Sequence, residues 1–304
     1  MKKIFITGLS GCVGHYLFDE LIGDPNLELY CLIRTPQKLR FDPQAYPRLK
    51  IIIDDMNNIA GQAELLKEMD AVVHLAADWG GNEGNYDYSL TLFELLDPTK
   101  CQKVIYFSTA SILGSDNQPI VEAEKYGTHY IRSKYRLFKK LPDLKIYPNI
   151  VTLFPTWVLG GDQRHPFSHA SAGMLSLKNW LWLIRFFTVD ASFHFIHARD
   201  IARITSFLLR NPAEKTYVLG NPPITASRLI GEICSFFGYR TYFQLPLPLF
   251  LVKILARISE KKLHSWDEFC LQKRHFIHQT VNASSFNFSS ELSTITGILR
   301  DQTQ

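Results

Sequence analysis

The stretch KIFITGLSGCVGHYLFDELI, residues 3–22, determines the fold class that this chain predicts. Lys3–Thr7 is a short, nearly continuous apolar run, typical of a strand that is buried on both faces. An amphipathic helical pattern then runs to about Ile22. Between the two lie three glycines spaced three residues apart: Gly8, Gly11 and Gly14. A strand, a glycine turn and a helix in this order are typical of the first unit of a dinucleotide-binding sheet.

The same alternation of strand and helix patterns continues along the chain. Helical patterns at Ala63–Met69 and Tyr88–Leu96 separate further apolar runs. These runs are Leu27–Ile33, Leu49–Ile53, Ala71–Ala76, Lys103–Phe107 and Ile150–Leu153. We therefore predict an α/β fold, a Rossmann-type doubly wound parallel sheet. Phe195–His197 and Tyr217–Leu219 are predicted to return to this sheet on either side of a helix over Asp200–Leu209.

The pattern changes after Gly161, where Pro, His, Ser and Gly precede an aromatic-rich stretch. This break predicts two parts. A Rossmann domain that contains the glycine turn, and so is expected to bind the dinucleotide, comprises residues 1–161 plus 195–221. A smaller, discontinuous and mostly helical substrate-binding region comprises 162–194 plus 222–304.

The composition excludes several classes of protein. Of the 304 residues 46% are hydrophobic, which excludes disorder as the main state. The 33 basic and 29 acidic residues include no basic block longer than a pair, so we expect no nucleic-acid partner. The five cysteines are scattered without a C-x-x-C spacing, and glycines interrupt the apolar run at the beginning of the sequence. We therefore expect a cytoplasmic protein without a secretion signal.

Two apolar segments stand out, Trp180–Ile184 and Leu247–Val252, the second running into Lys253 and Arg257. Both are too short to span a bilayer. A core or pocket-lining helix is the first interpretation, and a surface that docks on lipid is the alternative. A homodimer is compatible with the sequence, but no pattern decides the oligomeric state.

The glycine turn predicts contact with a pyrophosphate, because backbone amides at a helix N-terminus attract anions. The residues expected to contact the cofactor here are Gly8, Ser10, Gly11, Cys12, Val13 and Gly14. Their spacing is G-x-x-G-x-x-G rather than the commoner G-x-G-x-x-G. About 20 residues further on, where NAD enzymes carry an acid, this chain has Arg34. An arginine can pair with a 2′-phosphate, so we predict NADP rather than NAD, with a solvated loop arginine as the alternative.

Tyr130 and Lys134 lie four residues apart, on one face if the segment is helical. Tyr135 and Lys139 repeat the spacing, so spacing alone does not choose between the pairs. An ammonium about 4 Å from a phenol would lower the phenol pKa by about three units, as a proton-transferring tyrosine requires. Thr109 follows the fifth strand, where its hydroxyl could hold a substrate carbonyl or simply cap a turn.

Together these motifs resemble the extended short-chain dehydrogenase/reductase family, also called the NAD-dependent epimerase/dehydratase family. The matching motifs are Thr7–Gly14, Asp55 with Met56, Asp70–Ala77, Ser108 with Thr109, Tyr130 with Ser133 and Lys134, Pro155, and Phe195–Asp200. The resemblance covers about residues 1–225 and selects Tyr130 over Tyr135, because a serine before the lysine is the family's habit.

The resemblance implies a catalytic triad of Thr109, Tyr130 and Lys134. It also implies further cofactor contacts by Asp55, Met56, Leu75, Ala76, Ala77, Tyr130, Lys134 and Pro155. In the family's dehydratases Asp-Glu follows the threonine, whereas this chain has Ala110 and Ser111. The chain therefore lacks the two carboxylates that the family's dehydratases use.

A second departure concerns the substrate. Trp157 and Phe193 stand where epimerases of the family place an asparagine and an arginine that hold a nucleotide diphosphate. Apolar rings there would leave a diphosphate poorly paired, so we expect an apolar or aromatic carbonyl or alcohol instead. The pocket residues predicted on this basis are Asp78, Trp79, Ser111, Trp157 and Phe193.

Three functional hypotheses follow. The first is an NADP-dependent oxidoreductase in which Tyr130 transfers the proton, Lys134 tunes it and Thr109 orients the substrate oxygen. The second is a nucleotide-sugar epimerase with tightly bound NAD(P). The third is a subunit that binds a dinucleotide without catalysis. No metal is predicted, since the histidines lack a metal-binding spacing.

Overall fold

Seven parallel strands form the central sheet of the computed structural model, which describes residues 1–77, 84–248 and 264–303. The strands of the described residues, including those of three small two-stranded sheets, are in chain order β1 (Lys2–Thr7), β2 (Leu27–Ile33), β3 (Leu49–Ile53), β4 (Ala71–His74), β5 (Lys103–Phe107), β6 (Ile150–Pro155), β7 (Trp157–Leu159), β8 (Phe187–Thr188), β9 (Ser192–Phe193), β10 (Phe195–His197), β11 (Thr216–Leu219), β12 (Ile224–Thr225) and β13 (Leu245–Pro246). The order across the sheet is β11-β6-β5-β4-β1-β2-β3. This order confirms the predicted Rossmann-type fold.

Helices cover both faces of the sheet. They are α1 (Cys12–Ile22), α2 (Ala63–Lys67), α3 (Gly84–Glu94), α4 (Val121–Tyr126), α5 (His129–Lys140), α6 (His169–Ser176), α7 (Leu181–Ile184), α8 (Ala198–Arg210), α9 (Ala226–Phe236), α10 (Ser265–Lys273) and α11 (Ile295–Thr303). Successive side chains of a strand point to opposite faces, so Ile4 and Ile6 join the core under α1 and α8. Phe5 joins the opposite core, under α3 and α5. Burial on both faces explains why the strand patterns are continuous rather than alternating.

One predicted strand does not join the central sheet. Phe195–His197 was expected to return there, but β10 pairs in parallel with β7 in a separate two-stranded sheet. The chain leaves the main ladder after Pro155, and the Thr156 hydroxyl donates to the carbonyl of Leu219 at 2.8 Å. The strand formed by Trp157–Leu159 therefore offers its edge to β10 instead.

A further apolar cluster lies outside the Rossmann core. It joins side chains of α6, α7, α9, α11 and the strands β7, β10 and β12. Its buried members include Leu159, Met174, Leu181, Phe195, Ile233 and Ile298. The division into two parts by residue range stays a prediction. None of the described helices is both long and apolar enough to cross a membrane.

The turn after β1 has no room for a side chain at Gly14. A Cβ atom there would lie 2.4 Å from the carbonyl oxygens of Gly8 and Leu9. We expect Gly14→Ala to lower the free energy of unfolding by at least about 2 kcal/mol, because backbone cannot yield as a flexible side chain does. Urea denaturation followed by circular dichroism measures this.

The control is Gly23→Ala at the other end of α1, where φ is −69° and nothing lies within 4 Å of the added methyl group. This variant should keep or slightly raise the stability. Equal stability of the two variants would contradict the packing described for the turn.

Candidate functional site

A cleft of about 290 Å³ opens at the carboxyl ends of β1, β2, β3 and β4. Strand order reverses between β1 and β4, and open α/β sheets bind ligands at such a switch point. Nine of the predicted cofactor residues line the cleft: Gly8, Ser10, Gly11, Arg34, Asp55, Met56, Leu75, Ala76 and Ala77. The structure thus brings together residues from four separate turns.

The floor of the cleft depends on a close approach of two backbones. Gly8 has a φ of +78°, and a Cβ atom on it would lie 2.7 Å from the amide nitrogen of Ala76. The amide of Ala76 donates to the Thr7 hydroxyl at 3.2 Å. The amide of Gly11 donates to the carbonyl of Gly8 at 3.1 Å, which closes the turn. Only a residue without a side chain fits at Gly8.

A buried histidine, His74, holds the ends of β1 and β4 together at this close approach. His74 Nδ1 and the Thr7 hydroxyl are 2.7 Å apart, and His74 Nε2 lies 2.7 Å from the hydroxyl of Ser89 on α3. Burial, with a smaller contribution from the charge of Lys134, lowers the pKa of His74 well below its usual value, so the ring is neutral. No functional role was predicted for His74, although it stands in the matching motif Asp70–Ala77.

The beginning of α1 offers amides to an anion. Its N-cap is Gly11, and no side chain caps the first turn within the described residues. The Cys12 thiol points away, against the backbone amide of Ser168, and burial raises its pKa to about 12. Cys12, Val13 and Gly14 do not line the cleft described above. Their predicted cofactor contact would therefore have to come from backbone amides.

The outer rim of the cleft carries both signs of charge. Arg34 Nη1 lies 3.4 Å from Asp55 Oδ2, with the arginine side chain 70% exposed. Lys38 lines the same cleft, and so does Asp54. Asp54 accepts hydrogen bonds from three groups, which lower its pKa. Glycine backbone and an uncapped helix fit the diphosphate of a dinucleotide, and Arg34 and Lys38 add positive charge to a rim that also holds two aspartates.

The second group of predicted residues lies on α5 and after β5. Thr128 caps α5 by accepting from the amide of Ile131, which places Tyr130 in the first turn. Lys134 is only 1% exposed, and its ammonium donates to the carbonyl of Phe107 at 2.7 Å. Desolvation lowers the pKa of Lys134 to about 7. Lys139, the other lysine at this spacing, is exposed, so burial separates the two pairs.

Tyr130 is half-buried, and burial raises its pKa. A side-chain hydrogen bond with Thr109 opposes this shift. Lys134 was expected to lower the pKa of the phenol, but the pKa is raised. The ammonium lies 5.9 Å from the centre of the Tyr130 ring and is directed to the carbonyl of Phe107. Desolvation of the phenol is therefore the largest influence.

Thr109 combines the two roles that the sequence left open. Its hydroxyl accepts from the amide of Ser111 at 3.2 Å and so caps the turn after β5. The same oxygen donates to the Ser111 hydroxyl at 3.2 Å. Together with the bond to Tyr130, these contacts join three predicted site residues into one polar group.

The two parts of the site meet at a residue that sequence reasoning missed. Tyr88 lines the cleft, and its phenol is close enough to Tyr130 to contribute to the raised pKa. Tyr88 donates to the Asn85 side chain. Tyr130, Lys134 and Pro155 do not themselves line the 290 Å³ cleft. A helical tyrosine with no motif around it gave no signal in the sequence.

The predicted substrate residues fall into three groups. The rings of Trp157 and Phe193 pack edge to face with centroids 4.7 Å apart, and Trp157 is 50% exposed. Pro155 precedes this pair at the end of β6. Ser111 lies beside Thr109, as described. Asp78 and Trp79 lie outside the described residues.

Comparison with known proteins gives a family match. The model of the NAD dependent epimerase/dehydratase family matches residues 4–220. Among curated proteins, a decarboxylating sterol-4-alpha-carboxylate 3-dehydrogenase of Dictyostelium discoideum is 29% identical over 124 residues. The match covers 38% of this chain and 36% of the relative, so the chain spans little more than a third of that relative's length.

Solved structures share the fold over most of the chain. The terminal R domain of the myxalamid PKS-NRPS pathway has a TM-score of 0.71 at 18% identity, covering 99% of this chain and 90% of that chain. The UDP-N-acetylglucosamine 4-epimerase of Methanobrevibacter ruminantium, in complex with UDP-N-acetylmuramic acid, has a TM-score of 0.68 at 20% identity, covering 99% and 96%. At such identities the likeness shows the fold alone.

Burial of Lys134 predicts a pH dependence of stability. The ordinary lysine pKa is 10.5 and the folded value is about 7, so the unfolded chain binds more protons between these pH values. The penalty for burying Lys134 shrinks as pH rises. Relative to Lys134→Met, the wild type should gain about 2 kcal/mol of unfolding free energy from pH 7 to pH 9.

Urea denaturation of the wild type and of Lys134→Met between pH 7 and pH 9 measures the difference in unfolding free energy. The two proteins share all other titratable groups, so the contributions of those groups cancel. Lys139→Met, which changes an exposed lysine on the same helix, is the control and should track the wild type at each pH. A constant difference between wild type and Lys134→Met would show that the buried amine does not titrate in this range.

Proposed function

The chain belongs to the NAD-dependent epimerase/dehydratase family, and we propose that it is an NADP-dependent oxidoreductase acting on an apolar or aromatic carbonyl or alcohol. The observation that carries the proposal is the joined group of Thr109 and Tyr130 beside the buried Lys134. This group lies at the carboxyl end of the sheet, next to the cleft built by the glycine turn.

The chemistry assigned to the chain's own residues is proton transfer. A bound nicotinamide would supply or accept the hydride. Because its pKa is raised, Tyr130 carries its proton at neutral pH and is suited to donate it to a carbonyl oxygen during reduction. Thr109, already bonded to the phenol, would orient the same oxygen. In the reverse direction the phenolate would take the proton of the alcohol.

The substrate class rests on the aromatic pair Trp157 and Phe193. The pair offers apolar surface and no cation to a ligand, which favours a ring system or hydrocarbon over a nucleotide diphosphate. The curated relative is named for a sterol carboxylate, which also has an apolar ring system. The same observation weighs against the nucleotide-sugar epimerase, despite the shared fold of the solved epimerase.

The cofactor preference rests on Arg34. Its exposed guanidinium can turn from Asp55 toward a 2′-phosphate, with Lys38 on the same rim. The ion pair with Asp55 is exposed and weak, so little is lost when the arginine turns. An NAD-specific site would instead place a carboxylate at this strand end.

Tyr130→Phe tests the proton transfer. We expect turnover of a panel of aromatic and alicyclic ketones with NADPH to fall at least about 100-fold, with the dissociation constant of NADPH unchanged. Tyr135→Phe is the matched control, since Tyr135 repeats the spacing to a lysine and packs in an apolar cluster. Full turnover by Tyr130→Phe would refute the assigned role. Competitive, tight binding of UDP-sugars with no ketone turnover would favour the epimerase.

Arg34→Ala tests the cofactor. Nicotinamide fluorescence excited through tryptophan should show that NADPH binds more tightly than NADH to the wild type. The variant should weaken NADPH binding about 10- to 50-fold and leave NADH binding unchanged. Arg228→Ala is the control, because that arginine is also 70% exposed and paired with a carboxylate, at 2.9 Å. A wild type that prefers NADH would overturn the assignment.

A further inference from the structure

An apolar surface is formed by residues that do not line the 290 Å³ cleft. It is built from large side chains that are between 39% and 74% exposed, and we call it the aromatic face. Its members are Leu177, Trp180, Trp182, Leu183, Tyr242, Phe243 and Leu245. Exposed apolar residues are ordinary one at a time, whereas a contiguous group of this size marks an interaction surface.

The two segments that contribute to the aromatic face are joined in space. Strand β8 pairs with β13, so that Phe187 is opposite Leu245. The rings of Phe186 and Phe243 have centroids 5.6 Å apart. Arg185 Nη1 donates to the carbonyl of Arg240 at 3.4 Å. The exposed side chains therefore belong to one surface rather than to two unrelated loops.

The fold already has its apolar anchor in this region. Leu181 is 1% exposed and packs with Met174 in the cluster under α6 and α9. The flanking Trp180 and Trp182 remain outside that cluster, more than half exposed. Among the described residues, this cluster therefore does not include the tryptophans.

Within the two segments that carry the aromatic face all charged residues are basic, and Asp190 and Glu232 border these segments. Residues 163–189 and 233–259 contain no aspartate or glutamate. Lys178, Arg185 and Arg240 lie in these segments. Within the described ranges no carboxylate lies within 4 Å of any of the three. The Arg185 guanidinium lies over the Phe186 ring, 4.6 Å from its centre, whereas Lys178 and Arg240 are exposed. The long stems of these two can lie along apolar surface while their charged ends reach headgroups.

We propose that the aromatic face docks on the surface of a bilayer that contains anionic phospholipid. Tryptophan and tyrosine favour the boundary between headgroups and acyl chains, and the exposed cations Lys178 and Arg240 beside them match lipid phosphate and carboxylate. Docking of this kind is shallow and needs no spanning helix.

A second copy of the chain is the competing occupant, and charge disfavours it. A twofold interface would place this face against itself, bringing Lys178, Arg185 and Arg240 of one copy near those of the other. No acid in either segment would pair with them. A bilayer with anionic lipid offers acyl chains to the aromatic side chains and negative headgroups to the cations.

Sedimentation of the full chain with vesicles tests the proposal. We expect binding to phosphatidylcholine vesicles with about one-third phosphatidylserine, weaker binding at high salt, and little binding to pure phosphatidylcholine. Trp180→Ser combined with Trp182→Ser should lower the partition coefficient at least about tenfold. Val121→Ser, an equally exposed apolar residue on α4, is the control and should bind as the wild type does.

The charges are tested separately. Lys178→Glu combined with Arg240→Glu should abolish the preference for anionic vesicles, whereas the exposed Lys145→Glu should not. Absence of binding to every vesicle would overturn the proposal. So would a dimer of the free protein, seen by analytical ultracentrifugation, that the tryptophan substitutions dissociate.

The docking proposal does not depend on the proposed reaction. The variants lie in the predicted substrate-binding region, so their control is the dissociation constant of NADPH, measured without vesicles by direct excitation of the nicotinamide. It should match that of the wild type. Ketone turnover by a wild type that binds no vesicle would overturn only the docking, and vesicle binding by a wild type without turnover would overturn only the proposed reaction.

Discussion

The contact between the backbone of Gly8 and that of Ala76 is the constraint on which the candidate site depends. A Cβ atom at Gly8 would come 2.7 Å from the Ala76 nitrogen, so the turn after β1 touches the chain as it leaves β4. This contact brings the beginning of α1 to the point where strand order reverses. Thr7 and the buried His74 hold the two strand ends together. The position of the cleft is thus determined by backbone sterics rather than by the side chains that line it.

Desolvation is the second physical effect that shapes the site, because it shifts the pKa values of Tyr130 and Lys134 in opposite directions. Burial favours the neutral form of each group, which raises the pKa of Tyr130 and lowers that of Lys134. Lys134 still has a hydrogen-bond acceptor in the carbonyl of Phe107. An amine that titrates near neutrality can respond to a nearby charge, which a lysine in water at pH 7 cannot.

The fold was predictable from sequence where the pattern was long and the environment uniform. Strands such as Leu27–Ile33 are buried on both faces, and their apolar runs need no knowledge of their partners. Phe195–His197 was assigned to the wrong sheet, because a three-residue run does not specify which edge it meets. The contacts of His74 with Thr7 and Ser89 join residues 67 and 15 positions apart, which no local pattern encodes. The direction of the Tyr130 pKa depends on burial by surrounding elements, so spacing to a lysine could not reveal it.

The packing of α1 against α8 bears on how the chain is made. Side chains of both helices share one core, in which Leu17 and Phe18 are buried together with Ile201 and Leu208. When β5 is complete at Phe107, about 90 further residues must be synthesised before α8 begins. At ribosomal rates this takes roughly 5 to 20 s. During that time α1 covers its face of the five finished strands without α8, so the nascent chain would be a natural client for chaperones that bind exposed apolar surface.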